Sequence, residues 1–331
     1  MSQGPTVRTT TMLRDARSWL LEGRLPVATA ASILTVTLVV NLVIAENFLT
    51  AFNIRSIFAN VIPLAAVAVG QTVIVLGRGI DLSIGTIATL SSVVTVSMVE
   101  PVGLGTAMLI GLATGAACGL VNGLLVAIIR LQPIVATFAT SFIWAGLALF
   151  VLPPGAEAAP RMPESMVSGY RNSLLGIPIA AWLLLGLAVS WLVLKQTRLI
   201  RHVYAVGGDE QAAFATGVRV ARVQIMTYVI GGLYASVASF AMLANSGSAD
   251  ALAGAGLTLG SVAALVIGGT RLSGGAGGAG GTIIGVMVLQ LLNSLLVAIR
   301  PPTDVRQLID GLLVILALAL AGLWAERGRG R

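Results

Sequence analysis

The sequence has few of the side chains on which catalysis, metal binding and covalent crosslinks depend. Its 331 residues include one histidine, His202, and one cysteine, Cys118. A single cysteine excludes an intrachain disulfide, and one histidine with one cysteine excludes a metal cluster built from these ligands. The only lysine is Lys195 in WLVLKQT, whereas a Walker A loop needs a lysine behind a glycine-rich stretch to hold phosphates. We therefore do not expect the chain to be an enzyme or to hydrolyse ATP itself.

Charged residues are also scarce, at 10%, while hydrophobic residues make up 56% of the chain and the mean hydropathy is +0.95. A water-soluble globule of this size cannot have that composition, so the sequence indicates an all-α polytopic membrane protein. A membrane-spanning helix needs about 20 mostly apolar residues, and runs of that length follow one another with short polar breaks between them. We predict about ten transmembrane helices, at residues 27–45, 56–77, 83–99, 102–129, 132–152, 174–194, 222–244, 256–270, 278–298 and 306–324.

The distribution of basic residues predicts the orientation in the membrane. With the N-terminus in the cytoplasm, most of the 20 Lys and Arg residues lie on the cytoplasmic side, as the positive-inside rule requires. The residues predicted to lie outside are Arg55, Arg161, Arg171, Arg300 and Arg306. Both termini are then cytoplasmic, with residues 1–26 as an N-terminal segment, 27–324 as the transmembrane domain and 325–331 as a basic tail. The net charge of +7 fits a bacterial inner-membrane protein and requires no nucleic-acid partner.

Polar residues are concentrated first in GRGIDLSIG, residues 77–85, between the second and third predicted spans. The positions of interest there are Arg78, Gly79, Asp81, Ser83 and Gly85. One interpretation is an ordinary cytoplasmic turn, in which the glycines permit the bend and Asp81 either accepts hydrogen bonds from the N–H groups of the next helix or pairs with Arg78. The other is a gate near a permeation path, since irregular backbone close to the membrane is tolerated where it lies inside protein or lines a cavity.

The second polar concentration is the predicted cytoplasmic segment from about residue 195 to 221. The positions of interest there are Gly207, Gly208, Asp209, Glu210, Ala212, Ala213 and Gly217. The two adjacent glycines make a break, the acidic pair favours the start of a helix, and Gly217 ends that helix. A short helix that presents small residues between glycine breaks suits docking into a groove of a partner, although an ordinary surface helix would also explain the charges.

Four stretches of the chain together resemble one known family. They are ENFLTAFNI with AVGQTVIVLGRGIDLSIG, then GLATGAACGLVNGLLVAIIRLQPIVATFAT, then YAVGGDEQAAFATGVRVARVQIMTYVIGG, and finally LGSVAALVIGGTRLSGGAGGAGGTIIG. In this order, from about residue 41 to 320, they resemble the membrane subunits of ribose-type ABC sugar importers. The chain departs from that pattern at Arg78, where a second glycine is commoner, at Ala145, where arginine is frequent, and at Gly260, where an acidic residue is frequent. These departures bear on the substrate rather than on transport.

The resemblance implies a function and a set of partners. Two permease chains, identical or related, would form the path for a pentose or hexose delivered by a periplasmic sugar-binding protein. A separate cytoplasmic ABC ATPase would bind ATP and Mg²⁺, so that this chain needs no cofactor of its own. The helix in DEQAAFATG would be the coupling helix in the ATPase groove, and the five outer arginines are candidates for docking the binding protein.

Other functions fit these residues less well. A secondary transporter usually places carboxylates inside the membrane for ion coupling, whereas here Asp310, near the outer end of the last predicted span, is the only acidic residue clearly within one. A channel or a structural membrane protein would not need a glycine-bracketed cytoplasmic helix. The nearest alternative is an ABC permease for branched-chain amino acids, against which IDLSIG favours the sugar branch.

Overall fold

The computed structural model describes residues 27–152 and 160–299, together with residues 302, 308–309 and 311–312. The longer helices are α1 (Val27–Ile44), α2 (Ala51–Leu76), α3 (Ile84–Val102), α4 (Leu104–Ala127), α5 (Pro133–Val151), α7 (Ile179–Lys195), α10 (Val220–Ser246), α11 (Ala255–Ile267) and α12 (Ala279–Ile299). The shorter elements are α6 (Glu164–Arg171), the strands β1 (Ser173–Leu174) and β2 (Ile177–Pro178), and the helices α8 (Arg198–Gly208) and α9 (Glu210–Ala215). The strands form a small antiparallel hairpin before α7.

Helices α2 and α10 form the antiparallel pair at the centre of the bundle. Near one end of the pair, Asn245 donates a side-chain hydrogen bond to Asn60 over 2.9 Å. Further along, a Cβ atom added to Gly70 would lie 3.1 Å from the Gly231 carbonyl oxygen, and one added to Gly77 would lie 3.2 Å from the Thr227 methyl group. Because the residue numbers rise on one helix as they fall on the other, the two helices run in opposite directions.

A stripe of glycines on α4 sets how closely that helix approaches α10. Gly111, Gly115, Gly119 and Gly123 recur every fourth residue, and all four are buried. A Cβ atom on Gly115 or Gly119 would collide with a backbone carbonyl of α10. Small residues let the backbones of lipid-embedded helices approach closely, and the contact between α4 and α10 is of this kind.

The predicted spans correspond well to the observed helices. Among the described residues, seven helices are long and apolar enough to cross a membrane, or eight if α7 and α8, which meet at 77°, form one bent span. The chain is thus a predominantly helical, multi-pass membrane protein. The span predicted at 256–270 is the 13-residue helix α11.

Several parts of the predicted topology are not tested by the fold. The count of about ten spans and the cytoplasmic position of both termini remain predictions. The segments 1–26 and 325–331 lie outside the described residues, as do most of the predicted span 306–324, Asp310 and the two arginines Arg300 and Arg306.

Candidate functional site

The backbone reverses sharply after α2. The N–H groups of Gly77 and Gly79 both donate to the Ile74 carbonyl oxygen over 3.0 Å, and that of Arg78 donates to Val75 over 2.9 Å. Arg78 has a φ of 66°, in the left-handed region that favours glycine. This conformation gives a physical reason why glycine is commoner at this position in the family that the sequence resembles.

The Arg78 side chain binds the end of α8. Its Nε–H donates to the Gly207 carbonyl oxygen over 3.0 Å, and Nη2 donates to the Gly208 carbonyl oxygen over 2.9 Å. The last carbonyls of a helix have no partner within the helix and carry its negative partial charge, so a guanidinium is well suited to them. Arg78 thereby attaches the turn after α2 to the segment that the sequence predicts to be the coupling segment.

A glycine-rich loop between α11 and α12 packs into the same junction. The Gly275 N–H donates to the Leu76 carbonyl oxygen over 3.0 Å. Gly274 has a φ of 87°, and a Cβ atom there would lie 2.7 Å from Arg78 Cγ. A Cβ atom on Gly207 would collide with the Leu76 carbonyl. Three segments therefore meet at this point at backbone contact distance.

Asp81 is fully buried and is bound by neutral donors. One carboxylate oxygen accepts hydrogen bonds from the Ser83 N–H over 2.7 Å and from the Ser83 hydroxyl over 2.6 Å. The other accepts one from the Asn122 amide over 3.1 Å. Two roles were predicted for Asp81, and the structure shows the first of them, in which its carboxylate accepts a hydrogen bond from a backbone N–H group at the start of α3. The alternative pairing with Arg78 is not found in the described residues, because the turn carries Arg78 outward to α8.

The Asp81 network continues into α4 and α5. Thr140 on α5 donates to the Asn122 side-chain oxygen over 2.8 Å, and Asn122 donates to the Ser83 hydroxyl over 2.7 Å. Thr137, one turn earlier on α5, accepts a hydrogen bond from the Leu82 N–H over 3.0 Å. A buried polar network of this kind holds its members in one arrangement, because each group would be costly to leave without a partner.

Sequence reasoning missed Asn122, Thr137 and Thr140. The signal available was the presence of single polar residues within the apolar runs GLVNGLLV and PIVATFAT. Nothing in their spacing shows that the two runs meet at residue 81. The other predicted member of the turn, Gly85, is buried at the start of α3, where a Cβ atom would lie 2.6 Å from the Thr258 hydroxyl.

The short helix α9 is where the sequence predicted it, but the predicted break at Gly207 and Gly208 is wrong, because both glycines are the last residues of α8 and the chain leaves the helix at Asp209. The Asp209 carboxylate accepts hydrogen bonds from the N–H groups of Gln211 and Ala212 over 2.9 and 3.0 Å. Gly217 follows the helix with a φ of 85°. These residues therefore begin and end the helix in the way that their types predicted.

One prediction for α9 is wrong in detail. Ala212 is exposed, but Ala213 is only 4% exposed and packs in a cluster with Leu76, Val203 and Val206. A helix of one and a half turns has to bury one side to be held in place, and Ala213 is on that side. Phe214, which sequence reasoning did not select, is 73% exposed.

Three of the predicted outer arginines lie at the opposite end of the α2–α10 pair from Arg78. Arg171 donates to the Asn245 carbonyl oxygen over 2.7 Å, and Arg161 forms an isolated β-bridge with Ser248. Arg55 is exposed near the start of α2. The described outer arginines therefore share one end of the molecule, and Arg78 and α9 share the other.

The fold and the site together define a multi-pass membrane protein in which a buried polar turn is attached through α8 to the short helix α9. Residues 53–318 match the sequence family described as "Branched-chain amino acid transport system / permease component". The chain belongs to this permease family. Its relatives also confirm the resemblance to the ribose-type sugar permeases.

Three curated relatives illustrate the match. The ribose import permease protein RbsC of Escherichia coli (strain K12) is 33% identical over 307 residues, covering 91% of this chain and 94% of that protein. The D-allose transport system permease protein AlsC of the same strain is 32% identical over 280 residues, covering 83% and 85%. The fructose import permease protein FrcC of Rhizobium meliloti is 31% identical over 307 residues, covering 89% and 85%. No solved structure matches the chain significantly.

Proposed function

We propose that the chain is the membrane-spanning permease subunit of a bacterial ABC importer for a pentose or hexose sugar. The observation that carries the proposal is the near full-length similarity to permeases named for ribose, allose and fructose import. The family description names branched-chain amino acids, which keeps an amino-acid substrate as the second candidate. The proposed location is the inner membrane, with a second permease chain, identical or related, completing the path.

In this proposal the energy comes from a cytoplasmic ABC ATPase that binds ATP and Mg²⁺. The hydrogen bonds from Arg78 to Gly207 and Gly208 support a direct connection between the coupling segment and the turn after α2. From the turn, the Asp81–Asn122 and Asn122–Thr140 hydrogen bonds lead into α4 and α5. A displacement of α8 and α9 by the ATPase would therefore move the buried turn and the helices attached to it.

The surface of α9 supports a specific contact with the ATPase. Phe214 is 73% exposed on a helix whose other side is packed against the protein. An exposed aromatic side chain next to small residues is typical of an anchor that fills a pocket on a partner. We assign Phe214, with Ala212 and Gln211 beside it, to the ATPase groove.

The opposite end of the molecule is the proposed contact for a periplasmic sugar-binding protein. Arg55 and Arg161 are exposed there and present positive charge. Charge of one sign at a docking surface speeds encounter with an oppositely charged partner more than it tightens the final complex. This contact would deliver the sugar to the permease pair.

The proposal is tested by reconstituting the chain with its cognate ATPase and binding protein in proteoliposomes. We expect ATP-dependent uptake of one of labelled ribose, allose or fructose, and no uptake of labelled leucine. The control is the same complex with the Walker A lysine of the ATPase replaced, which should abolish uptake. Uptake of leucine without any sugar would instead establish the amino-acid alternative.

A further inference from the structure

The chain contains an internal repeat centred on two turns. DLSIGTIAT, residues 81–89, and DALAGAGLT, residues 250–258, both have Asp, Gly and Thr at the first, fifth and ninth positions. After each of them comes a second matching stretch, NGLLVAI at residues 122–128 and NSLLVAI at residues 293–299, which differ only at the second residue. The repeat thus pairs Asp81 with Asp250 and Asn122 with Asn293.

The two turns begin with the same side-chain hydrogen bond. Asp250 accepts a hydrogen bond from the Leu252 N–H over 2.8 Å, as Asp81 does from the Ser83 N–H over 2.7 Å. Each turn leads directly into a helix, α3 in the first case and α11 in the second. At both positions, therefore, an aspartate side chain bonded to the N–H group two residues later precedes a helix.

The starts of α3 and α11 meet through a reciprocal pair of hydrogen bonds. The Gly85 N–H donates to the Thr258 hydroxyl over 3.1 Å, and the Gly254 N–H donates to the Thr89 hydroxyl over 3.0 Å. A Cβ atom on either glycine would collide with the backbone carbonyl of the other. Each half of the repeat therefore donates the same glycine N–H hydrogen bond to the matching threonine of the other half.

The repeat is inverted across the membrane. One turn follows the end of α2 and the other follows the end of α10, and these two helices are antiparallel, so the turns lie at opposite ends of the pair. Inverted repeats of this kind are a means by which membrane transporters alternate between two similar conformations facing opposite sides. The Asp81 turn is at the end that carries Arg78 and α8, and the Asp250 turn is at the end that carries Arg161.

One difference between the two halves is the state of the Asp–Asn pair. Asp81 is 0% exposed and is bonded to Asn122 over 3.1 Å, whereas Asp250 is exposed. Within residues 27–152 and 160–299, the Asn293 side chain makes no hydrogen bond, although it is half-buried. Helices α11 and α12 are antiparallel, because Gly268 lies against Gly281 and Ala264 against Gly285, so Asn293 is on the part of α12 toward the Asp250 turn.

We propose that Asp250 and Asn293 form a hydrogen bond on the outer side, here called the outer lock, which corresponds to the hydrogen bond between Asp81 and Asn122, here called the inner lock. The outer lock closes when the inner lock opens. The inference rests on the proposed transport function and adds to it a pair of positioning residues on the outer side. The reciprocal Gly85–Thr258 and Gly254–Thr89 bonds form the pivot common to both states. When the outer lock closes, the half-buried Asn293 amide gains a hydrogen bond. When the inner lock opens, the buried Asp81 carboxylate becomes hydrated.

The test measures the two locks in the assembled transporter. In a Cys118→Ala background, the pairs Asp250→Cys with Asn293→Cys and Asp81→Cys with Asn122→Cys are each oxidised in the complex with the ATPase, nucleotide-free and after trapping with ATP and vanadate. We expect the yields of the two crosslinks to change in opposite directions, each by at least threefold. Crosslink yields that rise and fall together, or an outer yield that is the same in both states, would overturn the inference.

A second measurement covers the case in which the inner cysteine pair does not fold. The single variant Asp250→Cys, which replaces an exposed residue, is labelled with a small charged maleimide in both states, and its labelling should be several-fold slower in one of them. The exchange variant Asp250→Asn with Asn293→Asp should recover uptake that Asp250→Ala loses, since it restores an acid–amide pair. Equal labelling in both states together with no recovery would contradict the inference. A chain that does not assemble with the ATPase at all would contradict the proposed function instead.

Discussion

Arg78 donates its Nε–H to the carbonyl oxygen of Gly207, 129 residues later, over 3.0 Å. This hydrogen bond joins the turn after α2 to the end of α8. The turn holds the buried Asp81 network, and α8 leads directly into α9 with its exposed Phe214. The contact between Arg78 and Gly207 is therefore one direct connection between the segment that carries α9 and the interior of the bundle.

The first prediction separates the backbone and side-chain roles of Arg78. Arg78→Ala loses both hydrogen bonds to α8 and keeps an unfavourable φ of 66°, whereas Arg78→Gly loses the bonds but relieves the backbone. We expect both variants to show uptake at least several-fold below wild type, and Arg78→Ala to have the lower melting temperature. The measurements are thermal unfolding in detergent and uptake in proteoliposomes. Wild-type uptake by both variants would show that the link to Gly207 is not used.

The second prediction concerns close packing at the same junction. A Cβ atom on Gly207 would collide with the Leu76 carbonyl, while one on the adjacent Gly208 meets nothing within 4 Å. Gly207→Ala should therefore lower the melting temperature and the uptake rate, and Gly208→Ala should behave like wild type. The two variants are a matched pair, because they make the same change one residue apart. Similar behaviour of the pair would contradict the close approach of α8 to α2.

The third prediction concerns the carboxylate of Asp81. Asp81→Ala removes the acceptor for the Ser83 N–H and hydroxyl and leaves these buried donors without a partner, at a cost of about 1–3 kcal/mol each. Asp81→Asn keeps one acceptor oxygen, but its amide nitrogen opposes that of Asn122. We expect uptake to fall in the order wild type, Asp81→Asn, Asp81→Ala.

The exchange variant Asp81→Asn with Asn122→Asp provides the control for this order. It should recover uptake relative to Asp81→Asn alone, because it restores one acid and one amide. If Asp81→Asn and Asp81→Ala were equally inactive while their complexes hydrolysed ATP normally, the carboxylate would act on the substrate rather than on the turn.

The fourth prediction separates the two sides of α9. Phe214→Ala removes an exposed ring, so the permease should fold normally but bind the ATPase at least tenfold more weakly, equivalent to about 1.4 kcal/mol. Ala213→Glu places a charge in a cluster in which Ala213 is 4% exposed, and it should lower the melting temperature. Binding is measured by titrating the ATPase onto immobilised permease. Unchanged affinity for Phe214→Ala would exclude it as the anchor.

The fifth prediction concerns the outer arginines. Arg55 and Arg161 are exposed, whereas Arg171 also bonds to Asn245, so reversing Arg171 would disturb the fold as well. The double variant Arg55→Glu with Arg161→Glu should raise the concentration of loaded binding protein needed for half-maximal uptake several-fold at low salt. The effect should shrink at high salt, because ions screen exposed charges. A salt-independent effect would indicate a structural role.

The nature and position of most elements could be read from the sequence. The length of apolar runs predicts membrane spans because lipid requires every backbone group to be bonded within its own helix, which makes helix formation a local property. The same holds for Asp209 and Gly217, which cap and end α9 through bonds within a few residues. The family could be recognised for a related reason, since its motifs are short and contiguous.

The tertiary structure alone decided which residues meet. Arg78 and Asp81 are three positions apart with opposite charges, yet one binds Gly207 and the other binds Asn122. Ala212 and Ala213 are identical in type, and only the packing of α9 against α8 decides that the second is buried. The repeat linking Asp81 to Asp250 is present in the sequence, but the antiparallel packing of α2 and α10 decides that the two turns lie at opposite ends. Composition and local bonding could therefore predict the solvent, the helices and the class of this protein, whereas contacts between distant residues depend on helix packing, which no local pattern records.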